Sequence, residues 1–182
     1  MAVPPVFVAN QVLTAAQMNK VGMWRTYSTT TGGTATTLQV DDCFSTDYRH
    51  YRLYISGYSA TLGNLVIQMS TGGTPATGTN YYWNMATRNY NAADASTNSA
   101  GATTSFLLGL LNNGTSTAYS NIVCDILDPF ASSPTGFSSM NNYNTTSFRT
   151  CVGSHYLSTS YDGFKLTGAG NLNLNIEVFG LN

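Results

Sequence analysis

The residues able to do chemistry in this chain are few and scattered. His50 and His155 each lack a second histidine, a cysteine or a carboxylate at ligand spacing. Zinc needs roughly three or four converging donors, so both histidines are expected to be structural or surface groups. Cys43, Cys124 and Cys151 are odd in number and far apart, with aliphatic neighbours such as Ile122, Ile126 and Val152. That pattern reads as buried free thiols in strand interiors. Asp41-Asp42 and Asp125 with Asp128 are the close carboxylate pairs, but calcium takes about six to eight oxygens and neither pair sits in an EF-hand loop. Serines are plentiful, yet no Gly-x-Ser-x-Gly elbow and no phosphate-cradling glycine loop leading to a helix accompanies them. The expectation is a protein that is not an enzyme, with no catalytic residue, no metal and no cofactor.

One constellation does suggest ligand chemistry. Tyr81-Tyr82-Trp83 is flanked by Asn80 and Asn84, and sugar rings stack their C–H faces on aromatics while their hydroxyls bond to amides. In a strand, Tyr81 and Trp83 point one way and Tyr82 the other, so one side must enter the core. Tyr81, Tyr82, Trp83 and Asn84 are therefore the candidate glycan or interface face, with plain packing as the competing account.

What would position these groups is a series of strands. The clearest is the last, where Leu172, Leu174, Ile176 and Val178 alternate with Asn173, Asn175 and Glu177. A second runs over 48–56, with Tyr51, Leu53 and Ile55 inward, His50, Arg52 and Tyr54 outward, and Gly57 as its end. A third, 64–70, carries Leu65, Ile67 and Met69 on one face and closes in the turn Thr71-Gly72-Gly73-Thr74-Pro75. Segments 81–90, 104–111, 119–127, 147–152 and 163–167 follow the same logic, with 24–29 and 36–40 as weaker additions. About eight to ten strands joined by Gly, Asn, Ser and Thr loops predict an antiparallel β-sandwich in one body, residues 24–182. The polar stretches 91–103 and 129–144 lack a period and read as surface loops or crossovers.

The first 23 residues read differently. Pro4-Pro5 enforces an extended start, the apolar Val6-Phe7-Val8 follows, and Val12 and Leu13 precede a capping box, Thr14 to Gln17. A helix of about two turns is expected over 15–21, with Met18 and Val21 on one face and Gly22 as the stop. So short a helix is marginal alone. The segment is read as an arm, and the roughly 13 residues before the helix could reach about 40 Å if extended. Pro4, Pro5, Val6, Phe7, Val8, Val12, Leu13 and Met18 are its candidate anchoring residues.

Composition sets the bounds on partners. Only 8% of the 182 residues are charged and the net charge is -1, against about a quarter charged in ordinary domains. Ser, Thr and Asn, about a third of the chain, supply polarity in place of charge. Seven Lys and Arg without a cluster leave no electrostatic footprint for nucleic acid. The longest apolar run, 106–111, is far below the roughly 20 residues that span a bilayer, and the N-terminus lacks the basic and apolar regions of a secretory leader. Weak self-repulsion permits close packing of identical subunits.

The segment Phe7-Val8-Ala9-Asn10-Gln11-Val12-Leu13-Thr14-Ala15-Ala16-Gln17-Met18-Asn19 resembles the Gly-Gln-x-Leu-Thr-Ala-Ala-x-x-Asn-like opening of many tailed-bacteriophage virion proteins, with Asn10 in place of the usual glycine. Ile176-Glu177-Val178-Phe179-Gly180-Leu181-Asn182 is similar to the terminal strand of jelly-roll modules in phage tail fibres, tail tips and head-decoration proteins. Tyr51 to Gly57 and Leu65 to Gly73 resemble an early strand pair of those modules. The resemblance implies a virion protein with an N-terminal anchoring arm and a jelly-roll-like β-sandwich body, commonly a homotrimer, docked on capsid or tail proteins. Head decoration is the leading expectation, because the arm leads directly into a single body and leaves no room for a fibre shaft. A tail-fibre or tail-tip adhesin that binds a host-surface glycan is the alternative. A stand-alone carbohydrate-binding module would share the sandwich but needs no arm.

Overall fold

A computed structural model of the chain describes residues 22–90, 95–114, 119–142 and 147–181. The expected arm, its eight anchoring residues from Pro4 to Met18 and the helix expected over 15–21 lie outside the described residues.

The described chain is all-β. Its strands are β1 (Met23–Thr30), β2 (Thr37–Val40), β3 (His50–Ser59), β4 (Gly63–Thr71), β5 (Thr74–Pro75), β6 (Tyr81–Asn89), β7 (Ala95–Thr103), β8 (Phe106–Leu111), β9 (Ser120–Leu127), β10 (Thr135–Asn142), β11 (Ser147–His155), β12 (Gly163–Thr167) and β13 (Leu172–Leu181). Eight of them form one sheet in the order β1-β13-β3-β9-β10-β11-β6-β7, and five form a smaller one in which β4 lies between β12 on one side and β5 and β8 on the other. Every strand pair is antiparallel.

The two sheets form a sandwich because each has one apolar face to hide. The larger sheet contributes Tyr51, Leu53, Ile55, Ile122, Cys124, Leu174, Ile176 and Val178 to the core, and the smaller contributes Leu65, Ile67, Met69, Phe106, Phe164 and Leu166. Each such side chain stabilises the fold by about 1.5–3 kcal/mol through its removal from water. Phe106 stacks on Phe137 across the gap, with ring centroids 4.6 Å apart. The three cysteines are free and buried, as expected. Cys124 and Cys151 both pair in register with Ser139, one on each side of β10, which puts them two strand spacings apart, about 9.5 Å. That is beyond disulfide reach.

Three strands went unread in the sequence, and one apparent stop is not a stop. The hairpin Thr71-Gly72-Gly73-Thr74 does turn where expected, with both glycines at positive φ, and adds the two-residue β5. The stretches read as loops contain all of β7 and β10. In β10 the inward positions are Thr135, Phe137, Ser139 and Asn141, while Met140 is exposed on the other side, so the usual apolar alternation is inverted. Two of the inward polar groups are satisfied by β8: Ser139 Oγ donates to the Leu108 carbonyl at 2.8 Å, and Asn141 Oδ1 accepts from the Leu110 amide at 2.8 Å. β7, Ala-Ser-Thr-Asn-Ser-Ala-Gly-Ala-Thr, is an edge strand, with no second neighbour among the described residues to demand an apolar pattern. Gly57 lies inside β3 and pairs with Leu174. Its φ of 145° and the Asn173 carbonyl oxygen standing where a Cβ would go make it a point of close backbone approach.

Candidate functional site

The outer face of the larger sheet gathers the outward residues of seven of its eight strands, β7 excepted, into rows fixed by register. One row runs Tyr82, Ser154, Gly136, Leu127, His50, Leu181, Met23, and the next Asn84, Val152, Ser138, Asp125, Arg52, Phe179, Arg25. A third runs Ala86, Thr150, Met140, Val123, Tyr54, Glu177, Ser28, and a fourth Arg88, Phe148, Asn142, Asn121, Ser56, Asn175, Thr30.

This face carries much of the chain's sparse charge. Arg52 grips Asp125 with two hydrogen bonds, Nε to Oδ1 at 2.6 Å and Nη2 to Oδ2 at 2.9 Å, and His50 Nε2 stands 3.3 Å from Asp125 Oδ1. The bonded guanidinium holds the Asp125 carboxyl below the usual carboxylate range. Arg25 Nη1 donates to Glu177 Oε1 at 3.0 Å. At the end of β9, Asp128 has φ 54° and takes a two-bond clamp from Arg49. Asp128 directly precedes Pro129, but its arginine partner was not legible in the sequence.

The aromatic run splits by side as alternation requires. Tyr81 lies wholly in the core: its hydroxyl accepts the Met69 amide at 2.8 Å, and its ring stands edge-on to His155 at 4.3 Å. Trp83 is half-buried against the same core. Only Tyr82 and Asn84 face out, and Tyr82, 44% exposed, lies 5.5 Å from the ring of Tyr156, 47% exposed. The four residues therefore do not share one ligand face.

His155 is also interior. Its Nδ1 is 3.2 Å from the Tyr161 hydroxyl, its Nε2 has no hydrogen-bond partner, and burial pushes its pKa down. It is placed among aromatic rings rather than carboxylates. No group of three or more His, Cys, Asp or Glu able to hold a metal occurs among the described residues.

A depression that the sequence reading did not anticipate lies between the third and fourth rows. It has a volume of about 180 Å³ and is lined by Tyr54, Ser56, Asn121, Val123, Asn175 and Glu177. Its cause is steric: Ser56 is small and sits in register between Asn121 and Asn175, so the floor drops between two longer side chains. The Tyr54 ring is propped edge-on against Phe179 at 5.6 Å and 85°. Thr30 donates to Asn175 Oδ1 at 3.3 Å, and Arg25 fixes Glu177. Tyr54, Asn175 and Glu177 were legible as outward residues of their strands, but only the β13-β3-β9 register joins them to Asn121.

Comparison of the chain with protein families, with curated proteins and with solved structures finds no match in any of the three. Among the described residues no helix is long and apolar enough to cross a membrane.

Proposed function

We propose that this chain is a non-enzymatic structural protein of a tailed-phage virion, an accessory module that docks on the particle through residues 1–23 and decorates the head. The observation that carries the reading is the position of β1. It is an edge strand of the larger sheet, and among the described residues nothing pairs with its outer side. The preceding segment is thus delivered at the margin of the body, where an arm can leave without crossing the core. The phage-like segments fit this arrangement, since the similar terminal stretch 176–182 supplies the whole second half of β13, the strand that holds β1 in place.

Jelly-roll winding is part of the proposal. β3 pairs with β13 in the larger sheet, and their chain neighbours β4 and β12 pair in the smaller one. A two-stranded ribbon that passes from sheet to sheet in this way is how a jelly roll begins. A homotrimer seated over capsid subunits is the assembly we propose. The β7 edge, nine residues without a charge or a proline, lacks two of the devices that discourage strand pairing between chains, its one irregularity being the register shift opposite Tyr81 to Trp83, and low net charge removes long-range repulsion.

The test is deletion of residues 1–13. The truncated protein should keep its thermal transition and lose attachment to virus particles in a co-sedimentation assay. Full attachment of the truncated protein would overturn the docking role. A tail-fibre or tail-tip adhesin for a host-surface glycan is the second reading, favoured by the Tyr54 depression.

A further inference from the structure

We propose that the depression beside Tyr54 is a binding site for one neutral pyranose ring. The proposal rests on the adhesin reading and is independent of how the protein docks.

Four features converge on that ligand class. First, the volume of about 180 Å³ is well under the roughly 300–1,000 Å³ of sites for drug-sized molecules, so it admits a single ring and leaves the rest of a glycan outside. Second, Tyr54 supplies an aromatic wall, and its edge-on contact with Phe179 holds it in place before any ligand arrives. A sugar presents one C–H-rich face that packs on such a wall. Third, the opposite side offers hydroxyl-matching groups: the Asn121 and Asn175 amides and the Ser56 hydroxyl, which both donate and accept. Asn175 Oδ1 accepts from Thr30, which orients the amide, and its NH₂ group is a donor. Fourth, among the described residues the only acidic or basic side chain in the lining is Glu177. Its carboxylate accepts from Arg25 and has lone pairs left for ring hydroxyls. An acidic sugar would meet this carboxylate at close range with only Arg25 to offset it, which disfavours sialic and uronic acids and points to neutral hexoses and N-acetylhexosamines.

The site is shallow and half open, with one aromatic wall. Weak binding of single sugars follows, and several copies on one particle would raise it by avidity.

The experiment uses the purified full-length chain, titrated by saturation-transfer-difference NMR with the methyl glycosides of glucose, galactose, mannose and N-acetylglucosamine, and with sialic acid. Saturable binding of at least one neutral sugar and none of sialic acid is expected. Ser56→Leu, which fills the floor at an outward strand position, should abolish binding. Tyr54→Ala should weaken it at least tenfold, Tyr54→Phe should retain most of it, and Val152→Ala, exposed on the same sheet face and outside the lining, should leave it unchanged. Thermal melts of each variant confirm folding, and the Tyr54→Phe and Ser56→Leu pair carries the test if Tyr54→Ala does not fold. Absence of saturable binding by all four neutral sugars overturns the proposal, as does undiminished binding by folded Ser56→Leu. The two readings separate on host cells: if labelled wild-type protein and Ser56→Leu bind cells equally, the depression is excluded and the adhesin reading stands. If neither cells nor sugars are bound, both fall.

Discussion

Asn141 of β10 and Gly109 of β8 meet across the sandwich so closely that a methyl group at 109 would lie 2.6 Å from Asn141 Cγ. The missing side chain lets the Asn141 carbonyl oxygen reach the Leu110 amide at 2.8 Å. Together with Ser139 bonding to the Leu108 carbonyl, it closes the outer edge of β8, whose other side pairs with β4. Polar side chains of the facing sheet replace a neighbouring strand there.

Asn141→Leu keeps the branched heavy-atom shape and removes the acceptor, leaving a peptide N–H without its partner. The expected loss is about 1–3 kcal/mol, read as a lower urea midpoint with an unchanged slope. Gly109→Ala should be destabilising through the same contact. A neutral result for both would show that β8 does not depend on β10 for closure.

Gly57 and Gly72 both have positive φ, yet substitution should separate them. At Gly57 a Cβ meets the Asn173 carbonyl oxygen, whereas at Gly72 nothing lies within 4 Å. Gly57→Ala is expected to lower stability by at least about 2 kcal/mol or to prevent folding. Gly72→Asn, at φ 53° in a hairpin turn that asparagine tolerates, should stay within about 1 kcal/mol of wild type. Paired thermal melts check this.

Acid should weaken the fold in two windows. Burial holds the folded pKa of His155 below its ordinary 6.5, so its contribution is full above that pH and declines as the pH falls through 6.5 toward the lowered value. Asp125, held by Arg52 below its ordinary 3.8, contributes fully above 3.8 and loses that contribution as the pH falls through its folded pKa. His155→Phe should flatten the first part of the stability-against-pH curve, and Asp125→Asn the second. An unchanged upper window in His155→Phe would place its cause elsewhere.

The thiols should be silent in the native state. Burial raises all three, Cys151 to about 12 and Cys43 and Cys124 further, and the thiolate is the reactive form. A chromogenic disulfide reagent at pH 8 should label none before unfolding and all three after it. Fast labelling of one thiol in the folded protein would show an opening of the core at that strand.

Much of the sandwich was legible because inward positions in β3, β4 and β13 are apolar and period two is a direct consequence of strand geometry. The chain order of those strands and the Gly72-Gly73 turn were equally plain. β10 was not, because Ser139 and Asn141 take inward positions that only a particular partner strand can satisfy. β7 was hidden for a different reason: as an edge with few apolar residues it carries no alternation at all.

The sequence by itself determined an all-β chain with scarce charge, buried thiols, and amides and hydroxyls in place of ions. Those properties depend on residue type and on spacing along one strand. The tertiary structure decided what stands beside what. Tyr54, Ser56, Asn121 and Asn175 come from three strands separated by scores of residues, and the Arg52 and Asp125 pair spans 73 positions. Their meeting depends on the register of β13, β3 and β9, and a slip of one residue would turn every one of these side chains into the core.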